Sequence, residues 1–312
     1  MNDLRIVYMG TPEFSVGPLK ELVSLYNVVM VVTQPDKLVG RKKEIEFSPV
    51  KKYALEKGIE VFQPTKIKEE YQKVLDAKPD LIVTCAYGQI IPKVILDYPK
   101  YKCINIHASL LPKYRGGAPI HHSIINGDKE TGITIMYMAE GMDSGDILKQ
   151  EKIEITNEDN TSSMFKKLSI LGSDMISKFI PKLINGEINP IKQNEDEVTY
   201  AYNISKEDEK LSFEDTSLNI FNKIRGLSDI PGAYSFLDER RVKIYKSYIG
   251  TSNKSGIPGE IINIYPDGIG VKTNDGEIIL TEIQIEGKKR EEIKVYLNGI
   301  QDKNSLLGKV FK

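Results

Sequence analysis

The chain has 312 residues, long enough for two ordinary domains with a sizeable buried core, and its 43 Lys and Arg against 44 Asp and Glu leave a formal charge of -1. That balance neither requires nor excludes a polyanionic partner, but any nucleic-acid surface must be local. The two cysteines, Cys85 and Cys103, sit in apolar runs and exclude a disulfide framework or a cysteine metal site.

The N-terminus, MNDLRIVYMG, is too short an apolar run for a signal peptide, and no stretch approaches about 18 apolar residues, so a soluble cytoplasmic protein without a membrane partner is expected. Residues 4–9 (LRIVYM), 28–33 (VVMVVT) and 80–86 (DLIVTCA) are β-branched and apolar nearly throughout, the pattern of strands buried on both faces. Between them GPLKELVSL and SPVKKYALEKG carry apolar residues at helical spacing, each with Pro in its first turn. This β-α-β order implies a mostly parallel sheet with right-handed crossovers. Further strands are expected at 102–107 (KCINIH), 132–139 (GITIMYMA) and 147–155 (ILKQEKIEI), the last alternating and therefore nearer an edge. A helix from about Ser162 to Leu183 closes a first domain spanning residues 1–188. Dense charge and little apolar content mark 189–208 as an exposed connection. After a helical segment at 217–227, short strands separated by the turn signals PDG and NDG predict a small antiparallel β-barrel over 209–312.

An α/β domain that passes from strand to helix at Gly10 invites a dinucleotide site, but position 12 is proline where G-x-G-x-x-G needs its second glycine. Gly10 and Pro12 read instead as a tight turn and helix start, and no phosphate-binding G-x-x-x-x-G-K-[ST] is present. The chemistry concentrates elsewhere. All three histidines lie in one stretch, NIHASLLPKYRGGAPIHH, from Asn105 to His122. Alternation along KCINIH puts Asn105 and His107 on one face, and the strand before EGMDSGDIL delivers Asp143 from a second strand end. An amide donor, an imidazole and a carboxylate suit acyl-group transfer, the amide meeting a developing oxyanion while His and Asp manage protons. No protein nucleophile is convincing: Ser109 lacks a nucleophile elbow and Cys103 falls in mid-strand, so the attacking group belongs to the substrate. The adjacent His121 and His122 suit neither helical nor strand metal-ligand spacing, and no metal is expected. Taken singly, His107 also reads as a satisfied structural histidine and Asp143 as a turn residue between glycines.

Together, NIHASLLPKYRGGAPI and EGMDSGDIL resemble the folate-dependent formyltransferases. Four further stretches, MGTPEFSV, VVTQPDKLVGRKKEIEFSPVK, AYGQIIP and TYAYNISKEDEKLSF, are similar to the branch of that family acting on methionyl-tRNA. The resemblance implies a Rossmann-like catalytic domain, a C-terminal barrel resembling an OB-fold that binds tRNA, and transfer of formyl from 10-formyltetrahydrofolate to methionyl-initiator tRNA by a monomer. It implies Asn105, His107 and Asp143 as the catalytic trio, Ser109, Leu110, Leu111 and Pro112 as tetrahydrofolate contacts with a cis Leu111–Pro112 bond, and backbone at Gly88, Gln89 and Ile90 lining the pterin pocket. Residues 37–52 carry six basic and two acidic side chains, which by themselves read as a solvated charged loop leading into a helix; with the resemblance, Arg41, Lys42 and Lys43 are expected on a mobile arm that grips tRNA phosphates. His121 and His122 depart from the family pattern and are given no catalytic role; Ile230 and Asn203 also depart from it, outside the catalytic core. The motifs are shared with glycinamide ribonucleotide formyltransferase, nucleotide-sugar amino formyltransferases and formyl-folate hydrolases. The length disfavours the first, and the basic connection favours a tRNA substrate. A tRNA-binding module with a vestigial enzyme domain is opposed by the intact trio.

Overall fold

A computed structural model gives the fold, and the described residues are 2–39 and 44–312. Two compact units emerge: Met1–Pro119 with Glu130–Glu154 and Phe165–Tyr202, and Ile120–Lys129 with Ile155–Met164 and Asn203–Lys312.

In chain order, β1 (Asn2–Gly10) leads through a 3-10 turn at Glu13–Ser15 into α1 (Val16–Leu25). Next come β2 (Tyr26–Val32), the short strands β3 (Lys37–Val39) and β4 (Glu44–Glu46), and α2 (Pro49–Glu56). β5 (Val61–Phe62), α3 (Gln72–Asp76), β6 (Leu81–Cys85), α4 (Lys93–Leu96) and β7 (Cys103–His107) follow. Then come α5 (Pro119–Ile125), β8 (Glu130–Tyr137), β9 (Ile147–Glu154) and α6 (Thr161–Ile184). The large sheet of the first unit has the order β5-β2-β1-β6-β7-β8-β9. Pairing is parallel from β5 to β7 and antiparallel across β7–β8 and β8–β9.

Position in the sheet follows side-chain chemistry. β6 is apolar at all but Thr84 and buried along its whole length, as a strand covered on both faces must be. β9 is polar or charged after Leu148 at every position but Ile153 and lies at the edge of the sheet, where the sequence places it. Ser48 caps α2 by accepting from the Lys51 amide, with Pro49 in the first turn, where its missing N–H costs nothing.

β3 and β4 pair antiparallel, with Leu38 opposite Ile45 and both side chains about two-thirds exposed. Thr33 Oγ1 lies 2.8 Å from Ser48 Oγ, and Lys51 Nζ lies 2.5 Å from Asp36, so the base of the hairpin is pinned.

In the second unit, α7 (Ser217–Leu227) is followed by β10 (Ala233–Leu237), β11 (Arg240–Ile249), β12 (Ile261–Ile264), β13 (Ile269–Lys272), β14 (Glu277–Ile285), β15 (Glu291–Glu292) and α8 (Ile293–Asn298). The antiparallel order is β10-β11-β14-β13-β12, with β15 on β14. The final segment joins the two outer strands. Lys312 exchanges backbone hydrogen bonds with Phe236 of β10, while Lys309 accepts from Ile261 of β12 and Phe311 donates to Gly259 just before it. This bridge supplies the closure that a barrel needs to remove its open edges. Phe311 enters the core formed by α7 and the sheet. The expected helix at 217–227 and the turns PDG and NDG stand where read, whereas β10 was not anticipated.

Candidate active site

Strand β7 presents two faces. Ile106 packs under α6, where Gly172 permits the approach: a Cβ there would stand 3.2 Å from the Ile106 side chain. Asn105 and His107 therefore project to the other face. Beside them in register, Thr84 of β6 pairs with Asn105. The Thr84 hydroxyl donates to Asn105 Oδ1 at 2.8 Å, and Asn105 Nδ2 faces Asp143 Oδ1 at 3.3 Å. Because an ionised carboxylate only accepts, this arrangement fixes which way the amide points.

His107 is 6% exposed. Its Nε2 lies 2.9 Å from the Tyr114 carbonyl oxygen, which can only accept, so Nε2 carries a proton. The other nitrogen, Nδ1, faces Asp143 Oδ2 at 3.6 Å. Asp143 is thus met by Asn105 and His107 together, and the Gly116 amide donates to its Oδ2 at 2.9 Å. Asp143 holds a left-handed φ of 45° and Gly116 a φ of 124°. A Cβ on Gly116 would stand 2.7 Å from the Ala201 carbonyl oxygen, so only glycine brings this amide to the carboxylate.

The loop between His107 and α5 is braced from outside. Arg115 exchanges backbone hydrogen bonds with Thr199 and Ala201, each 2.8 Å, and its buried guanidinium reaches Gln193 and Glu195. Arg115 beside Glu195 holds that carboxyl below its ordinary value. Residues 191–202, within the segment read as an exposed connection, are largely solvent-facing yet form a strap bound to the loop.

Other expected site residues occupy two neighbouring loops. Leu111–Pro112 is cis, in agreement with the sequence-based expectation. Ser109 is fully buried and its hydroxyl donates to the Lys113 carbonyl at 2.7 Å, while Gln150 Nε2 donates to the Leu111 carbonyl at 2.7 Å. Ser109 thereby shapes the loop, and Leu110 and Pro112 remain partly exposed. After β6, Gly88 has a φ of 88° and Ile90 is 85% exposed. Gln89 is instead occupied, accepting from the Ile67 amide at 2.8 Å and donating to the Pro64 carbonyl at 3.1 Å. Neither Gln89 nor the Ser109 hydroxyl bonds to the trio. Arg41, Lys42 and Lys43, with Gly40, lie outside the described residues.

Comparison with known proteins places this geometry. The family model described as "Formyl transferase" matches residues 15–180, and that described as "Formyl transferase, C-terminal domain" matches 203–301. The chain belongs to the formyl transferase family. A protein of Malacoplasma penetrans named methionyl-tRNA formyltransferase is 50% identical over 95% of this chain and 93% of its own. Among solved structures, the Helicobacter canadensis N-formyltransferase in complex with folinic acid and dTDP-3-aminofucose aligns with a TM-score of 0.66 at 21% identity, covering 92% of this chain and 100% of the other. HypX from Aquifex aeolicus in complex with tetrahydrofolic acid aligns with a TM-score of 0.65 at 17% identity; the match covers 95% of this chain and 47% of HypX, so this chain spans about half its length. These two likenesses establish the fold.

As a formyl transferase, the chain has site neighbours that sequence reasoning passed over: Thr84, Gly116, Arg115 and Gln193. Thr84 left a signal, a polar residue inside the otherwise apolar LIVTC. Both cysteines are inert where they sit: burial pushes the Cys85 thiol up to about 12, and Cys103 is raised in the same way. His121 and His122 fall in α5, and burial holds His121 below the ordinary imidazole value. Among the described residues no group of three or more His, Cys, Asp or Glu is arranged to hold a metal ion, and no helix is long and apolar enough to cross a membrane.

Proposed function

We propose that this chain transfers the formyl group of 10-formyltetrahydrofolate to the α-amino group of methionyl-initiator tRNA, with Asn105, His107 and Asp143 as its catalytic residues. One observation carries the chemistry: Asn105 Nδ2 and His107 Nδ1 converge on the Asp143 carboxylate at 3.3 and 3.6 Å. Neither approach is a short hydrogen bond, so an incoming oxygen or amine can replace either one without breaking a strong contact. The 50% identity to a relative named methionyl-tRNA formyltransferase supports the choice of acceptor.

Asn105 directs its amide donor at the formyl oxygen as the substrate amine attacks the formyl carbon and that oxygen gains charge. His107, its Nε2 held by Tyr114, offers Nδ1 as the second donor when that nitrogen carries a proton. Asp143 balances the resulting imidazolium and accepts, directly or through one water, the proton released by the attacking nitrogen. The cleaved folate nitrogen takes up a proton in turn, and no covalent enzyme intermediate is required.

The loop after β6 fits a pterin. Ala86, Gly88 and Ile90 are exposed, and a Cβ on Gly88 would meet only Gln34 Nε2, at 3.5 Å, so a flat ring can approach the backbone there. On this reading residues 109–112 line the same slot, and Arg41, Lys42 and Lys43 engage tRNA phosphates together with the C-terminal barrel. The hairpin β3–β4 favours such a role, since its exposed Leu38 and Ile45 have no core to join.

The test is radiolabelled formyl transfer with charged initiator tRNA, a nucleotide amino sugar and glycinamide ribonucleotide supplied in parallel. Label should enter the tRNA alone. Label in the amino sugar and none in the tRNA would assign the trio to sugar formylation.

A further inference from the structure

Asp143 has an improbable backbone for its role. A residue with a Cβ at a φ of 45° is disfavoured unless its surroundings over-determine it, and a catalytic carboxylate must not wander. Among the described residues, the Gly116 amide is the close donor to its side chain. Its backbone is held from the strap. Gln193 Nε2 donates to the carbonyl oxygens of both Asp143 and Gly145, each at 2.8 Å. On its other side, Gln193 Oε1 accepts from Arg115 Nε at 3.0 Å and Arg115 Nη2 at 2.8 Å. All four hydrogen-bonding capacities of the amide are filled, and its orientation is unambiguous because guanidinium only donates and carbonyls only accept.

Arg115 is anchored in turn. It is 3% exposed and reaches Glu195 Oε1 at 2.8 Å and Oε2 at 3.3 Å, a forked pair that fixes the guanidinium plane. The next residue, Gly116, supplies the amide that meets Asp143 Oδ2. One short segment therefore sets Asp143 from two directions: Gly116 grips the carboxylate, and Arg115 orients the glutamine that clamps the main chain. Within the otherwise exposed stretch 191–197, Gln193 alone is partly buried.

We propose that Gln193, oriented by Arg115, is a positioning residue that holds Asp143 in its productive geometry against Asn105 and His107. The inference rests on the catalytic reading of Asp143 given above. Gln193→Glu keeps an acceptor for Arg115 but turns a carboxylate oxygen toward two carbonyl oxygens, releasing the clamp. Gln193→Met keeps the stem and removes both sets of hydrogen bonds, and serves if the charged variant does not fold.

The experiment measures steady-state formyl transfer to charged initiator tRNA in four proteins: the unaltered chain, Gln193→Glu, Asp143→Asn and the double variant. Gln193→Met is added in both backgrounds. With Asp143 intact, each Gln193 change should lower kcat by about tenfold to a hundredfold, the scale of a misplacement of roughly 1 Å, with KM for folate and tRNA unchanged. In the Asp143→Asn background the same change should have an effect of less than about threefold, because two residues acting through one group are non-additive. Equal losses in both backgrounds would make Gln193 an independent structural prop and overturn the proposal. So would full activity of both Gln193 variants beside a disabled Asp143→Asn. Full activity of Asp143→Asn itself would remove the catalytic reading and this inference with it, and is distinguished by that single variant.

Discussion

Asp143→Asn removes a charge while keeping the side chain's size, and the surrounding contacts define what it does. The carboxylate accepts from the Gly116 amide at 2.9 Å, stands 3.3 Å from Asn105 Nδ2 and lies 3.6 Å from His107 Nδ1, with 18% of the side chain exposed. An asparagine oxygen can keep one of the first two contacts, but its NH2 then faces a donor at the other. His107 loses its counter-ion in either orientation. A hydrogen bond to a charged group contributes about 1.5–3 kcal/mol, so the fold should survive with at most that much lost. On the proposed mechanism turnover should suffer more, because there the carboxylate acts on charge and protons that appear only during reaction. A loss of about 3 kcal/mol in transition-state stabilisation corresponds to on the order of a hundredfold in kcat. The assay pairs steady-state formyl transfer with direct measurement of folate binding by fluorescence or calorimetry. We expect kcat to fall at least that far while the folate dissociation constant stays within about twofold. Matching losses in folate affinity and turnover would refute the reasoning and make Asp143 a binding residue.

Thr84→Val removes the hydroxyl that donates to Asn105 Oδ1 and should lower kcat by about tenfold with KM unchanged, through a loosened amide orientation; kinetics indistinguishable from the unaltered chain would dismiss that role. Arg41→Ala should impair formylation of charged initiator tRNA while leaving slow, tRNA-independent hydrolysis of formyl-folate unchanged, and each lost phosphate contact should reduce the log-log salt slope by about one. Equal tRNA kinetics in that variant would return Arg41 to a solvated surface residue. His121 titrates below its unfolded value of about 6.5 because burial disfavours the cation, so its contribution to stability is present above that pH and is lost as pH falls through the folded value. Urea midpoints at about pH 7.5 and 5.5 should therefore differ less in His121→Gln than in the unaltered chain.

The fold was legible where local chemistry and tertiary role coincide. The runs at 4–9, 28–33 and 80–86 are apolar on both faces because parallel strands in the middle of a sheet touch helices on either side, and they became β1, β2 and β6. The helix at 217–227 carries its own cap, Thr216, and an apolar stripe, so its bounds could be read directly. β10 was illegible for a converse reason. Its fully buried Ser235 breaks the apolar alternation, and the hydroxyl is satisfied by the Lys312 carbonyl, a partner 77 residues away. The extra strands β3 and β4 are only three residues each, too short for a period to declare itself.

The site divides along the same line. Asn105, His107 and Asp143 could be gathered from sequence because alternation and strand ends dictate where side chains go, even before pairing is known. The strap could not. A run such as IKQNEDEVTY contains the polar residues of a solvated connection, and most of it is solvated. What distinguishes it is a set of partners supplied by another loop: Arg115 for Gln193 and Glu195, and the Arg115 backbone for Thr199 and Ala201. Composition reports whether a segment can bury apolar surface, whereas a strap of this kind is held by hydrogen bonds whose partners lie far back along the chain. One mark does remain in the sequence. An arginine followed by two glycines in KYRGGAP joins a long, costly-to-bury cation to a backbone free to take unusual angles. A buried arginine needs acceptors on every side, so its presence in a glycine-rich loop is itself an argument that some distant polar segment must come back to meet it.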